Sequence, residues 1–277
     1  MRLPLLEHYE RMPTGHKLTL HYLLQTESHV FAFSMAANVL LAFFPFLVVM
    51  LSLCRYVFRW RGAEQAIYLA MGDYFPGDMG TFIVANLQAG VGRAGAMHIT
   101  SMLLLLFTAN GIFEPLEVAL NRAWGIAKNR SFVHNQIVSL GMIFLTGTLV
   151  LSSALLTAFN QEMLSPMGLN FLLGPVLFKL AAVPLSIVAL FLIYWLLPNG
   201  RVPIRPLIPV AVAVGLALEL MKWVVLAVWP WLWEKFNVEY GPFKNSALIV
   251  FLSFIASMIV LAGAEWAARS REDTANP

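Results

Sequence analysis

Charge is what this sequence has least of. Only 12% of its 277 residues are Asp, Glu, Lys or Arg, about half the share of a soluble domain, and that excludes a surface solvated on every side. The single cysteine, Cys54, excludes an internal disulfide. The 18 Lys and Arg are scattered and the net charge is only +3, which excludes the basic patch of a nucleic-acid-binding protein. No phosphate-cradling loop is present either, since Gly90, Gly92 and Gly95 are followed by no Lys-Ser/Thr pair. His8, His16, His21 and His29 lack metal-ligand spacing on one face, so no metal or other cofactor is expected.

Apolar residues make up 59% of the chain, with a mean hydropathy of +0.73. One core of this size cannot hold them all, so most must face a bilayer. A helix crossing that bilayer needs about 20 apolar residues, and six such windows appear: about 30–54, 97–120, 137–159, 172–197, 207–232 and 247–264. Pro206 can open the fifth at no cost in helical hydrogen bonds. The fold class is therefore all-α, a polytopic membrane protein with six transmembrane helices. Residues 1–29 read as a cytoplasmic amphipathic segment, 30–264 as the transmembrane domain and 265–277 as a cytoplasmic tail, polar and disordered after Arg269. The first span is too long for a signal-peptide core and lacks a small-x-small cleavage site, so it stays as an anchor.

With the amino terminus inside, the cytoplasmic segments carry ten basic residues and the outer segments six, the latter including Arg55, Arg59 and Arg61. The positive-inside rule thus favours this orientation, and an even number of spans leaves both termini in the cytoplasm. In the outer loop, about 55–96, Ala63, Ala66, Ile67, Ala70 and Met71 follow helical spacing until Pro76 and Gly77, and Phe82, Ile83 and Leu87 form a second short pattern. These are expected to be interfacial helices.

Five local patterns fall in order along these spans: Ala36-Ala37 with Phe43-Phe44-Pro45-Phe46-Leu47; Leu120-Asn121-Arg122-Ala123-Trp124-Gly125; Leu196-Leu197-Pro198-Asn199-Gly200-Arg201-Val202-Pro203; Tyr240-Gly241; and Gly263-Ala264-Glu265. Together they resemble the YihY/BrkB family of bacterial inner-membrane proteins, once labelled ribonuclease BN. The resemblance covers most of the chain. It implies a six-helix inner-membrane protein, with some members linked to virulence or envelope lipid handling and no settled biochemical activity. Where the family tends to carry a tyrosine-bearing stretch after the alanines, this chain has Asn38-Val39-Leu40, so any role of that tyrosine does not carry over.

Charges at hydrocarbon depth are the residues most informative about function, because each costs about 2.5 to 3.5 kcal/mol at a helix centre. Glu219 and Lys222 sit three apart in the fifth span, share a face and can pair. Eleven Leu, Ile and Val between positions 208 and 228, at about 0.5 kcal/mol each, roughly offset the two charges, so this face should turn into the bundle. It is either a structural ion pair or part of a transport path. Glu114 and Glu117 flank Pro115 near the end of the second span, with Asn110 and Asn121 nearby. Two like charges so placed could hold a proton or cation, or reach interfacial water and Arg122 and simply cap the span. Lys179 in the fourth span can snorkel or join the path. Pro45 and Pro184, with a charged pair in each of spans two and five, make a faint 3+3 correspondence of the kind found in secondary transporters.

Small residues at four-residue spacing, Thr148 and Ser152, Ala154 and Ala158, Ala211 and Gly215, Ser253 and Ser257, suggest close helix packing. Trp229, Trp231 and Trp233 read as an aromatic belt. The leading expectation is a non-enzymatic protein that moves or handles an envelope lipid or other amphipath along a polar path from spans two, four and five. A membrane scaffold or envelope assembly factor is the alternative. A membrane-bound ribonuclease is a distant third, since Glu64, Asp73 and Asp78 lie in the outer loop away from cellular RNA. Membrane lipids are the expected partners, with a homo-oligomer or envelope assembly proteins as further candidates.

Overall fold

The computed structural model describes residues 26–92, 96–127, 130–164 and 174–275. The amino-terminal segment with His8, His16 and His21, and the side chains of Asp73, Asn110, Ala154, Ala158 and Lys179, lie outside that description. Every regular element among the described residues is helical. They are α1 (Thr26–Ser52), running into a π-helical turn (Leu53–Val57), α2 (Arg61–Tyr74), α3 (Asp78–Gly92), α4 (Ala96–Ala123), α5 (Phe132–Leu164), α6 (Gly174–Leu196), α7 (Ile204–Tyr240), a 3-10 turn (Gly241–Phe243) and α8 (Lys244–Ala275).

The six long helices close a ring in which α1 packs on α4, α4 on α5, α5 on α6, α6 on α7, α7 on α8, and α8 back on α1. They present large apolar side chains outward at four-residue spacing: Ile99, Leu103 and Phe107 on α4, and Leu216, Leu220 and Val224 on α7. Such exposure is unfavourable in water and costs nothing against acyl chains. Three helical stretches, 27–57, 99–123 and 204–269, are long and apolar enough to cross a membrane, and 183–196 is a shorter apolar helix. The last of the three holds both α7 and α8, separated at Gly241, whose φ of 51° ends α7 in a conformation that L side chains disfavour. The chain is thus a multi-pass membrane protein.

Helix ends are where the sequence reading needs correcting. Pro206 does lie in the first turn of α7, but that helix runs on to Tyr240, well past the expected end near 232. The stretch after Arg269, expected to be disordered, is instead helical to Ala275 as the end of α8. Glu265 and Arg269, one turn apart, pair on that helix and support its continuation.

Packing divides into two apolar cores. One gathers Leu105, Leu116 and Leu120 of α4 with Tyr194, Leu207 and Leu261. The other gathers Leu51 and Cys54 at the end of α1 with Leu232, Leu248 and the buried faces of α2 and α3. Ala63 and Ile67 of α2, and Met79, Ile83 and Leu87 of α3, are buried while Phe82 is exposed. The two short helices are therefore amphipathic lids on the second core.

Candidate functional site

Among the described residues, a cavity of about 400 Å³ lies between α1, α5, α6, α7 and α8, within the size range of small-molecule sites. Val39 and Phe43 of α1, Leu149 of α5, Leu185 of α6, Leu218 and Met221 of α7, and Leu252 of α8 give it an apolar wall. Ser186 and Ser253 add hydroxyls. Its charged lining consists of Glu219 and Lys222, near the middle of α7. Lys222 Nζ donates to Glu219 Oε1 at 3.4 Å, and each side chain is 25% exposed. Helical spacing puts both on one face, and Gly215 one turn earlier brings α7 close to Ile187 of α6. A pocket of this kind offers an apolar body to a ligand and one positive and one negative contact to its polar end.

Lys179 and Asn110 lie outside the described side chains, and of the other predicted site residues none is among those lining this cavity. Glu114 is exposed on α4. Glu117 and Asn121 are buried, but they belong to a second polar cluster between the α4–α5 and α6–α7 connections. There Arg130 Nη1 donates to Glu117 Oε2 at 3.3 Å, and Arg130 Nη2 donates to the carbonyls of Pro198 at 3.2 Å and Leu196 at 3.5 Å. Asn121 Oδ1 accepts the backbone N–H of Asn199 at 2.8 Å. Of the spans expected to build a path, α6 and α7 contribute described residues to the cavity, together with α1, α5 and α8, while its described lining includes no residue of α4. Nor does Glu117 face Arg122, which pairs with Glu27 of α1. Sequence reading missed Arg130 because it lies in a loop, where nothing in its neighbours sets it apart from the other cytoplasmic bases.

Smaller expectations divide as well. Ala211 and Gly215 are buried at the α6–α7 contact and Ser257 is buried on α8. Thr148 is exposed and donates its hydroxyl to Phe144 O of its own helix, as Ser152 does to Thr148 O. Trp231 is exposed, whereas Trp229 and Trp233 stack on each other and Lys244 Nζ sits 4.2 Å above the Trp233 ring. Cys54, at the end of the first expected span, is buried.

Residues 19–277 match the model of a family described as virulence factor BrkB. The chain belongs to the BrkB family. Its BrkB relatives include a UPF0761 membrane protein of Chromohalobacter salexigens, 27% identical over 86% of this chain and 58% of that protein. A UPF0761 membrane protein of Chlorobium chlorochromatii is 28% identical over 93% of this chain and 60% of its own length. A third, from Pseudomonas aeruginosa, is 23% identical over 84% and 57%. The chain thus spans somewhat under two thirds of the curated relatives it matches, and no solved structure matches it. Within this BrkB chain, the second cluster joins two of the motif segments: Asn121 belongs to one and Leu196, Pro198 and Asn199 to the other. Gly263 of the Gly-Ala-Glu segment lets α8 approach α6 and α7, since a Cβ there would overlap Val214 Cγ2 and lie 2.6 Å from Tyr194 Oη.

Proposed function

We propose that this BrkB-family protein holds and moves an envelope lipid or other amphipath through the cavity around Glu219 and Lys222. The observation that carries the reading is a mostly apolar pocket at mid-helix whose charged lining is one ion pair. Charged side chains at such depth are costly and tend to mark substrate paths. The closed ring of six long helices supports six spans, and the surplus of basic residues on one side supports cytoplasmic termini in an inner membrane. No enzymatic step is part of the proposal.

The alternative is a scaffold or envelope assembly factor in which Glu219 and Lys222 only neutralise each other, and their mutual hydrogen bond favours it. Substitution separates the two. In a scaffold, Glu219→Gln or Lys222→Met alone takes the ion-pair partner from a half-buried charge and lowers folded yield, while the double variant recovers both yield and envelope phenotype. On the proposed function the double variant inserts and folds, yet fails to complement a deletion strain. Complementation by a well-expressed Glu219→Gln, Lys222→Met protein would refute the transport reading.

A further inference from the structure

We propose a second lipid site, for the phosphate headgroup of an anionic phospholipid, on residues 55–61 where α1 leaves the membrane. Every residue of this segment is exposed. It begins inside the apolar stretch 27–57 and ends outside it, so it lies at the level of the headgroups. Tyr56, Phe58 and Trp60 alternate with Arg55, Arg59 and Arg61. Tyr and Trp, whose rings have one polar edge, settle at this depth, as Tyr56 and Trp60 do here, and arginine matches phosphate oxygens with two parallel N–H donors.

Local charge balance favours an anionic occupant. Arg55 Nη1 is held by Glu64 at 3.7 Å. Arg59 and Arg61 have no ion-pair partner among the described residues and are left to the lipid surface. The backbone is set for this display. After the π-helical turn, Phe58 N–H bonds to Leu53 O and Trp60 N–H to Cys54 O, and Arg59 between them has φ 51°. It alone among the described non-glycine residues is in the left-handed region. A side chain with a Cβ is disfavoured there, and strain of that kind persists where surrounding contacts impose it and function uses it. Glycine at this position would relieve the strain and lose the guanidinium, whereas arginine keeps the guanidinium and bears the strain. The site is distinct from the Glu219–Lys222 cavity and holds whichever face of the membrane this end occupies.

The test uses the purified full chain in detergent with equimolar phosphatidylglycerol and phosphatidylcholine, bound lipids being counted by native mass spectrometry. The wild type is expected to prefer phosphatidylglycerol. Arg59→Gln with Arg61→Gln should reduce that preference about fivefold for each arginine lost, the factor corresponding to about 1 kcal/mol per basic side chain at an anionic surface. Arg59→Lys with Arg61→Lys should retain most of it. Arg59→Gly should melt at the same or a higher temperature and still lose preference, which keeps the test decisive if the Gln pair folds poorly. An unchanged preference in Arg59→Gly overturns the proposal. So does inorganic phosphate displacing the lipid, which would make this a free-anion site.

Discussion

Removing Arg130 should damage this protein more than removing its acidic partner, because the two side chains do not depend on each other equally. Glu117 is buried to 6% exposure and Arg130 to 15%. Arg130→Met strands the carboxylate and takes a donor from the carbonyls of Leu196 and Pro198. An uncompensated buried charge costs about 3–5 kcal/mol. Glu117→Gln leaves an amide oxygen that still accepts, and Arg130 keeps both carbonyls, so the loss is that of one charge-assisted bond, about 1–3 kcal/mol. The double variant has no stranded charge and should cost less than the sum of the two single losses by at least about 1 kcal/mol. Equilibrium unfolding in mixed detergent and SDS micelles, read by tryptophan fluorescence, measures all four proteins. Costs for Arg130→Met no larger than for Glu117→Gln, and additive within about 0.5 kcal/mol, would refute the view that this guanidinium ties the α4–α5 connection to the end of α6.

Two further outcomes follow from packing. Gly263→Ala places a methyl against Val214 Cγ2 and Tyr194 Oη, and overpacking at that α8 contact should cost about 1–3 kcal/mol, seen as a lower melting temperature; an unchanged melt would contradict the close approach. Native Cys54, at 1% exposure, should resist a membrane-impermeant maleimide in intact and permeabilised cells alike. In a Cys54→Ala background, Phe58→Cys should label from outside and Ser131→Cys only after permeabilisation, and the reverse pattern would invert the proposed topology.

The membrane character and the six long helices were legible in the sequence because each rests on a local quantity, about 20 apolar residues in a row. Helix ends were less so: α7 continues to Tyr240 and α8 to Ala275, since charged residues outside the hydrocarbon no longer need to be excluded from a helix. The Glu219–Lys222 pairing follows from three-residue spacing alone. The partner of Glu117 did not follow, because Arg130 meets it through a loop and a separate helix end, contacts that no periodicity encodes. Cys54 shows the same limit. Its position at the end of an apolar run does not say whether it is accessible, and the short helices α2 and α3 fold over the core it belongs to.

The central claim, that an amphipath occupies the cavity beside the α7 ion pair, is tested most directly by photocrosslinking in native membranes. A benzophenone amino acid replacing Ser253, which lines the cavity on α8, should yield a lipid adduct detectable by mass spectrometry of the purified protein. The same probe at exposed Phe107 on α4 supplies the background of lipid met on the outer surface. The account predicts an adduct at 253 whose lipid composition differs from that at 107 and which is lost when Glu219→Gln and Lys222→Met are combined in a folded protein. Adducts of the same composition at both positions, unchanged in the double variant, would contradict it.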